Sequence, residues 1–302
     1  MAVSRYDESP VVFDCHGNQL VGILAMPSSA ALHRTGVVVL VGGPQYRAGS
    51  HRQFTLLCRH LAEQGIASLR FDYHGLGDSE GPPPLGVEGV EADLRAAIDT
   101  FMRAAPTVTG VVVWGLCGAA SAAALYAPSD DRVKGLVMLN PWVRTEEGLA
   151  KAQLRHYYLG RLGDPIFWGR IARGDVAVAA ALKAFGGSVL RAFGWRSGSH
   201  AVPGPAATSD GAEHAAVGGT LPDRMLDSLQ RTRLPALVVL SGSADLTANE
   251  FRQVAGGSSA WRQWMASTQV ERHEIEGSTH TFSRADWRDR VADITTRWVQ
   301  AR

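Results

Sequence analysis

Short, continuously apolar runs alternating with amphipathic stretches restrict this chain more than any other feature. Residues 36–41, GVVVLV, are bounded by glycines and too short for a buried helix. Further strand candidates stand at 66–71, 111–114, 133–139, 236–240 and 269–275. Strands hidden on both faces have this composition, and both faces are covered when helices pack on a parallel sheet. Helix candidates fill the intervals at 50–64, 87–104 and 118–126, then in a stretch ending near Met265, and at 283–299. A capping-box pattern, Ser50-His51-Arg52-Gln53, opens the first of them. Ahead of this series, β-rich segments at 11–15 and 20–26 flank the turn residues His16-Gly17-Asn18, which predicts an antiparallel hairpin. The order predicts βαβ units and a mostly parallel central sheet flanked by helices, an α/β class.

The rhythm stops after Pro141. No buried-strand run occurs across 146–233, although 149–162 and 176–193 have helical patterning. Residues 186–222 are rich in Gly, Ser, Ala and Pro and are expected to be flexible. The expected organisation is a core of residues 1–145 and 234–302, with a helical lid inserted at 146–233. A length of 302 residues suits one such domain, and no repeat of 20 to 50 residues is visible. Hydrophobic residues at 45% and charged residues at 20% exclude wholesale disorder. A net charge of +1 supplies no basic footprint for nucleic acid or an anionic membrane. Three well-separated cysteines form neither a disulfide framework nor a metal-binding pair. With no signal-like or membrane-spanning apolar stretch, a reduced, cytoplasmic setting is expected.

Ligands of a parallel sheet collect at the carboxyl ends of its strands. There, Gly115-Leu116-Cys117-Gly118-Ala119 joins a buried strand to a small-residue helix. This small-x-nucleophile-small-small pattern is that of a nucleophile elbow, whose tight turn leaves no room for larger neighbours. The helix N-terminus also favours a thiolate. The competing reading makes Cys117 a small buried hydrophobe, as Cys15 and Cys58 are expected to be. A thiol nucleophile needs a base, and the base an orienting acid. Asp245 follows the strand at 236–240, and His280 follows the strand at 269–275. The order nucleophile, acid, base is that of an α/β-hydrolase sheet. The oxyanion donors expected are the N–H groups of Gly118 and Gln45, since Pro44 has none. Arg47 lies on the same loop and can reach the site mouth or remain solvated. The glycine-rich turn at 73–79 does not complete a phosphate-binding fingerprint, because Glu80 occupies the last glycine position. No metal-ligand motif is present.

These residues resemble the α/β-hydrolase superfamily over nearly the whole chain. RFDYHGLGDS at 70–79 looks like that superfamily's turn after a strand. More narrowly, GGPQYR at 42–47, GSHRQF at 49–54, GLCGA at 115–119, NPWVR at 140–144 and LRHYY at 154–158 resemble the exosortase A system-associated hydrolases of the first type. The resemblance implies a Cys117, Asp245 and His280 triad, no cofactor, and a bacterial setting connected with exopolysaccharide and sorting-signal export. Cys117 stands where most of the superfamily has Ser, and Ala119 where the pattern ends in Gly; dienelactone hydrolases use a similar Cys-Asp-His set.

The expected function is hydrolysis of an ester, thioester or lactone through a covalent acyl-enzyme. Acyl transfer to a sugar or lipid hydroxyl uses the same site with water replaced. A non-catalytic binding protein on the same scaffold is the reading from a different class. The expected partner is a small-molecule, lipid or saccharide acyl substrate. Arg47, Arg144, Tyr157 and Tyr158 are candidates for the pocket wall; the aromatics equally suit anchoring of lid helices.

Overall fold

A computed structural model describes residues 5–28, 32–43, 45–84, 86–143 and 219–302. Helix candidates 149–162 and 176–193, together with Arg144, Tyr157 and Tyr158, lie outside them.

The chain opens with the hairpin β1 (Tyr6–Cys15) and β2 (Asn18–Pro27), paired antiparallel from Tyr6↔Pro27 to Cys15↔Asn18. His16 and Gly17 make the two-residue turn, both at positive φ, the conformation that matches strand twist in a tight hairpin. There follow β3 (Thr35–Leu40), α1 (Gln53–Glu63), β4 (Ser68–Phe71), α2 (Glu91–Ala104), β5 (Gly110–Leu116), α3 (Gly118–Tyr126) and β6 (Val133–Leu139). After residue 218 come α4 (Leu221–Thr232), β7 (Ala236–Ser241), α5 (Leu246–Gly257), α6 (Ser259–Met265), β8 (Val270–Ile275) and α7 (Ala285–Gln300). The eight strands form one sheet in the order β1-β2-β4-β3-β5-β6-β7-β8, parallel from β4 to β8. Every residue of β3, β5 and β7 is buried, as their apolar runs require when helices cover both faces.

Three departures from expectation have local reasons. Ser50 does not cap α1: residues Ser50–Arg52 form a 3-10 turn, with His51 and Arg52 left-handed, and the helix starts at Gln53. The helical stretch ending at Met265 is two helices. Gly256 and Gly257 end α5, and the Ser258 hydroxyl then accepts from Trp261 N to start α6. The third concerns the insertion. The compact core comprises residues up to Val143 and from Pro222 onward, so it resumes about a dozen residues before the expected 234. Helix α4 carries this difference. It buries Met225, Leu226 and Leu229, its Ser228 hydroxyl donates to the Ala124 carbonyl, and Arg224 pairs with Glu88. Its polar composition hid a core-facing stripe that no strand-like run announced.

Helix α3 lies close against β5. A Cβ at Gly115 would stand 2.5 Å from the Ala119 carbonyl carbon, inside any real contact distance. We expect Gly115→Ala to lower stability by about 1–3 kcal/mol through this overpacking, measured by urea unfolding. An unchanged midpoint would show that the helix and strand can separate at no cost.

Candidate active site

The turn between β5 and α3 is held open for one residue. Cys117 adopts φ 59° and ψ −124°, a conformation that side chains rarely occupy. Its N–H donates to Leu139 O at 2.9 Å, and its carbonyl accepts from Ala120 N at 3.0 Å and Trp142 N at 3.3 Å. These bonds overdetermine the strained backbone and present the side chain at the sheet's carboxyl edge. Cys15 and Cys58 are buried, whereas Cys117 is partly exposed.

Two further strand ends supply the other candidate residues. Asp245 caps α5, its Oδ1 accepting from Thr247 N at 3.0 Å. Its Oδ2 accepts from the Ser241 hydroxyl at 2.5 Å and lies 2.9 Å from His280 Nδ1. Burial pushes the carboxyl pKa up, but His280, Ser241 and Thr247 together outweigh it and hold Asp245 below the usual carboxylate range. With Nδ1 turned to Asp245, the imidazole borders the same cleft as Cys117. Asp245 first and Cys117 second push the His280 pKa up to about 10, against the opposing effect of burial. The His280 side chain is 33% exposed, so water reaches the ring. Cys117, Asp245 and His280, expected from the chain order, therefore come together.

Asn140 is the site residue that pattern reading singled out least. It directly follows β6, is fully buried, and sits at φ 43°. Its Nδ2 donates to His280 O at 3.0 Å and its Oδ1 accepts from Ser241 N at 2.8 Å. One amide thus ties the loop carrying His280 to the strand end leading to Asp245. The signal available was its place immediately after a buried strand, within NPWVR.

The other expectations are met unevenly. Gly118 is the first residue of α3, so its N–H has no intrahelical acceptor and remains available as a donor. Gln45 does not fit the second donor position. Its N–H is taken by Gly43 O at 2.8 Å in a tight turn, whereas Gly43 itself borders the cleft beside Cys117. Arg47 reaches neither the mouth nor open solvent. It pairs with buried Asp72, lies 2.8 Å from Asp78, and stacks over Tyr46 at 4.3 Å. The glycine-rich turn is explained by the same carboxylate: Asp72 also accepts from Arg47 N at 2.6 Å and Asp78 N at 3.2 Å. A Cβ at Gly77 would collide with Asp72, so the turn wraps a side chain of its own.

Cys15, His74 and Asp93 bring potential metal-ligand atoms within 4.8 Å of one another. Each is already engaged: His74 Nδ1 pairs with Asp93, Nε2 lies 3.1 Å from Cys15 O, and the Cys15 thiol is 3.6 Å from Asp93. Burial and Asp93 push that thiol's pKa up to about 11, which keeps it protonated.

A cleft of about 440 Å³ opens beside Cys117 and His280, walled by Val41, Leu76, Val87 and Trp142 among others. Among the described residues, no helix is long and apolar enough to cross a membrane.

A family profile described as serine aminopeptidase, S33, matches residues 33–168, a span that includes the elbow. The polyketide transferase claH of Penicillium crustosum is 27% identical over 139 residues, 43% of each chain. An esterase from Pyrococcus furiosus superposes with a TM-score of 0.59 at 16% identity, covering 97% of this chain and 92% of the other. The esterase domain of a Rhodothermus marinus protein gives 0.57 at 16% identity, with 98% and 99% covered. A dienelactone hydrolase from Anabaena variabilis gives 0.55 at 14% identity, with 97% of each chain covered.

Proposed function

The chain has an α/β-hydrolase fold, and from that premise we propose that it is an acyl hydrolase working through a thioester on Cys117. The observation carrying this reading is one imidazole that pairs with Asp245 and borders the same cleft as the strained Cys117. In this reading the thiol proton passes to His280 ahead of attack, leaving a thiolate beside imidazolium. The thiolate attacks the acyl carbonyl and forms the C–S bond. The C–O or C–S bond to the leaving group breaks, and that group departs with the proton from His280. Neutral His280 then takes a proton from water, whose oxygen attacks the thioester. The acid departs, and the thiol is restored. Asp245 keeps Nδ1 occupied and balances the imidazolium charge. The Gly118 N–H, with Gly43 as the second donor in place of Gln45, holds the oxyanion.

Acyl transfer is the second reading, favoured by the likeness to a polyketide transferase and by the suitability of a thioester for passing its acyl group to an alcohol. The motif likeness to exosortase A system-associated hydrolases points the same proposal toward bacterial saccharide or lipid acyl substrates.

The test is a p-nitrophenyl butyrate pulse, quenched in acid and analysed by intact mass and peptide mapping. A butyryl adduct on Cys117 is expected, with a burst of p-nitrophenol. Its discharge to water or to added alcohols separates hydrolysis from transfer. Turnover with an adduct elsewhere, or none, overturns the assignment. Absence of both turnover and adduct would leave the non-catalytic reading.

A further inference from the structure

We infer that the acyl group taken by this site carries a hydroxyl, held in the cleft by Tyr73 and Gln45. This rests on the acyl-enzyme reading above and adds the substrate class to it. Tyr73 follows β4 and its ring meets Phe71 edge-on, with centroids 5.5 Å apart at 77°. It is only 3% exposed, yet it borders the same cleft as Cys117. Its phenol oxygen is buried and has no hydrogen-bond partner among the described residues. Burial, reinforced by Asp93, pushes its pKa far up, so the group is a neutral donor. Gln45, also bordering the cleft, has a buried side-chain oxygen without a partner among the described residues.

A buried donor and a buried acceptor left unpaired carry a desolvation penalty that a bound ligand can remove. The surrounding wall, with Val41, Leu76, Val87 and Trp142, suits a hydrocarbon chain. An apolar cleft with a few placed polar groups selects ligands by those groups. A ligand carbonyl answers only the phenol, and a ligand ammonium group only the amide oxygen. A hydroxyl answers both, accepting from Tyr73 and donating to Gln45.

The experiment compares N-acetylcysteamine thioesters of octanoate with those of its 3-, 5- and 7-hydroxy derivatives on the full-length chain. At least one hydroxylated substrate is expected to exceed octanoyl in kcat/KM by about tenfold or more, since a site built for a hydroxyl discriminates against its absence. Tyr73→Phe should collapse that ratio to within about twofold. Gln45→Leu should reduce it independently, and the wild-type preference needs no variant to fold. Equal use of octanoyl and all hydroxylated acyl groups by wild type, or an undiminished ratio in Tyr73→Phe, overturns the inference while leaving the hydrolase reading intact. Failure of every thioester to acylate Cys117 overturns both.

Discussion

Cys117→Ala is expected to eliminate the acyl-enzyme and lower ester turnover by about four orders of magnitude or more, the scale of losing a nucleophile. Stability should change by about 1 kcal/mol at most, because the partly exposed thiol fills little core volume and alanine inherits the same backbone conformation. Circular dichroism and urea unfolding check the fold, while intact mass after a p-nitrophenyl butyrate pulse checks the chemistry. Iodoacetamide should label Cys117 first. Burial pushes the Cys58 thiol up, and the Cys15 thiol lies at about 11, so neither presents a ready thiolate. Retained acylation in Cys117→Ala, or inactivation that maps to Cys58, would move the nucleophile. Cys117→Ser should fold but lose activity about tenfold or more, since a hydroxyl sits differently in a site shaped for sulfur and cannot start as the anion.

His280→Ala should slow acylation by about two to four orders of magnitude, and Asp245→Asn should also be severe because an amide cannot balance imidazolium. Their pH behaviour separates these roles from mere support. The folded His280 pKa is raised to about 10, from 6.5 for the free side chain. Its protonated form therefore contributes to stability fully below about pH 6.5 and loses that contribution as pH rises through about 10. Asp245 has the opposite sign. Its carboxyl is depressed, so its contribution stands above the ordinary carboxylate pKa near 3.9 and is lost on acidification. The kcat/KM profile should hold on the alkaline side and fall only near pH 10, when the imidazolium proton is lost. Formation of the thioester removes the thiolate from beside His280 and so lowers the imidazole pKa. Deacylation, which needs the neutral ring, should therefore rise with pH at a lower midpoint. Stopped-flow acylation and single-turnover deacylation between pH 5 and 11 measure both limbs. Coincident midpoints would contradict a thiolate–imidazolium resting state.

Much of this architecture is legible in the residue order because its information is local and repetitive. Strands β3, β5 and β7 contain little but Val, Leu and Gly, and both α3 and β6 match their expected spans at 118–126 and 133–139. The three candidate residues of the site follow from position, each just beyond a strand. What pattern could not supply depends on partners distant in the chain. Gln45 is a poor oxyanion donor because Gly43 O already holds its N–H. Arg47 is drawn inward by Asp72, 25 residues away in sequence. Asn140 matters through two hydrogen bonds to segments about a hundred residues or more downstream, and no periodicity announces such a cross-link. The start of α4 depends on a packing stripe that only the completed core defines.

The positive φ of Cys117 has a consequence for laboratory evolution. Glycine occupies that backbone region without the penalty a Cβ incurs there, so glycine at 117 relieves strain even as it removes the thiol. A library enriched for heat resistance alone would drift toward glycine at this position and accumulate inert survivors. At Gly115 the two pressures agree, because any side chain collides with α3 and shifts the elbow. The residue most exposed to loss under thermal selection is then the proposed nucleophile itself, and screens for robust variants must score activity in every round.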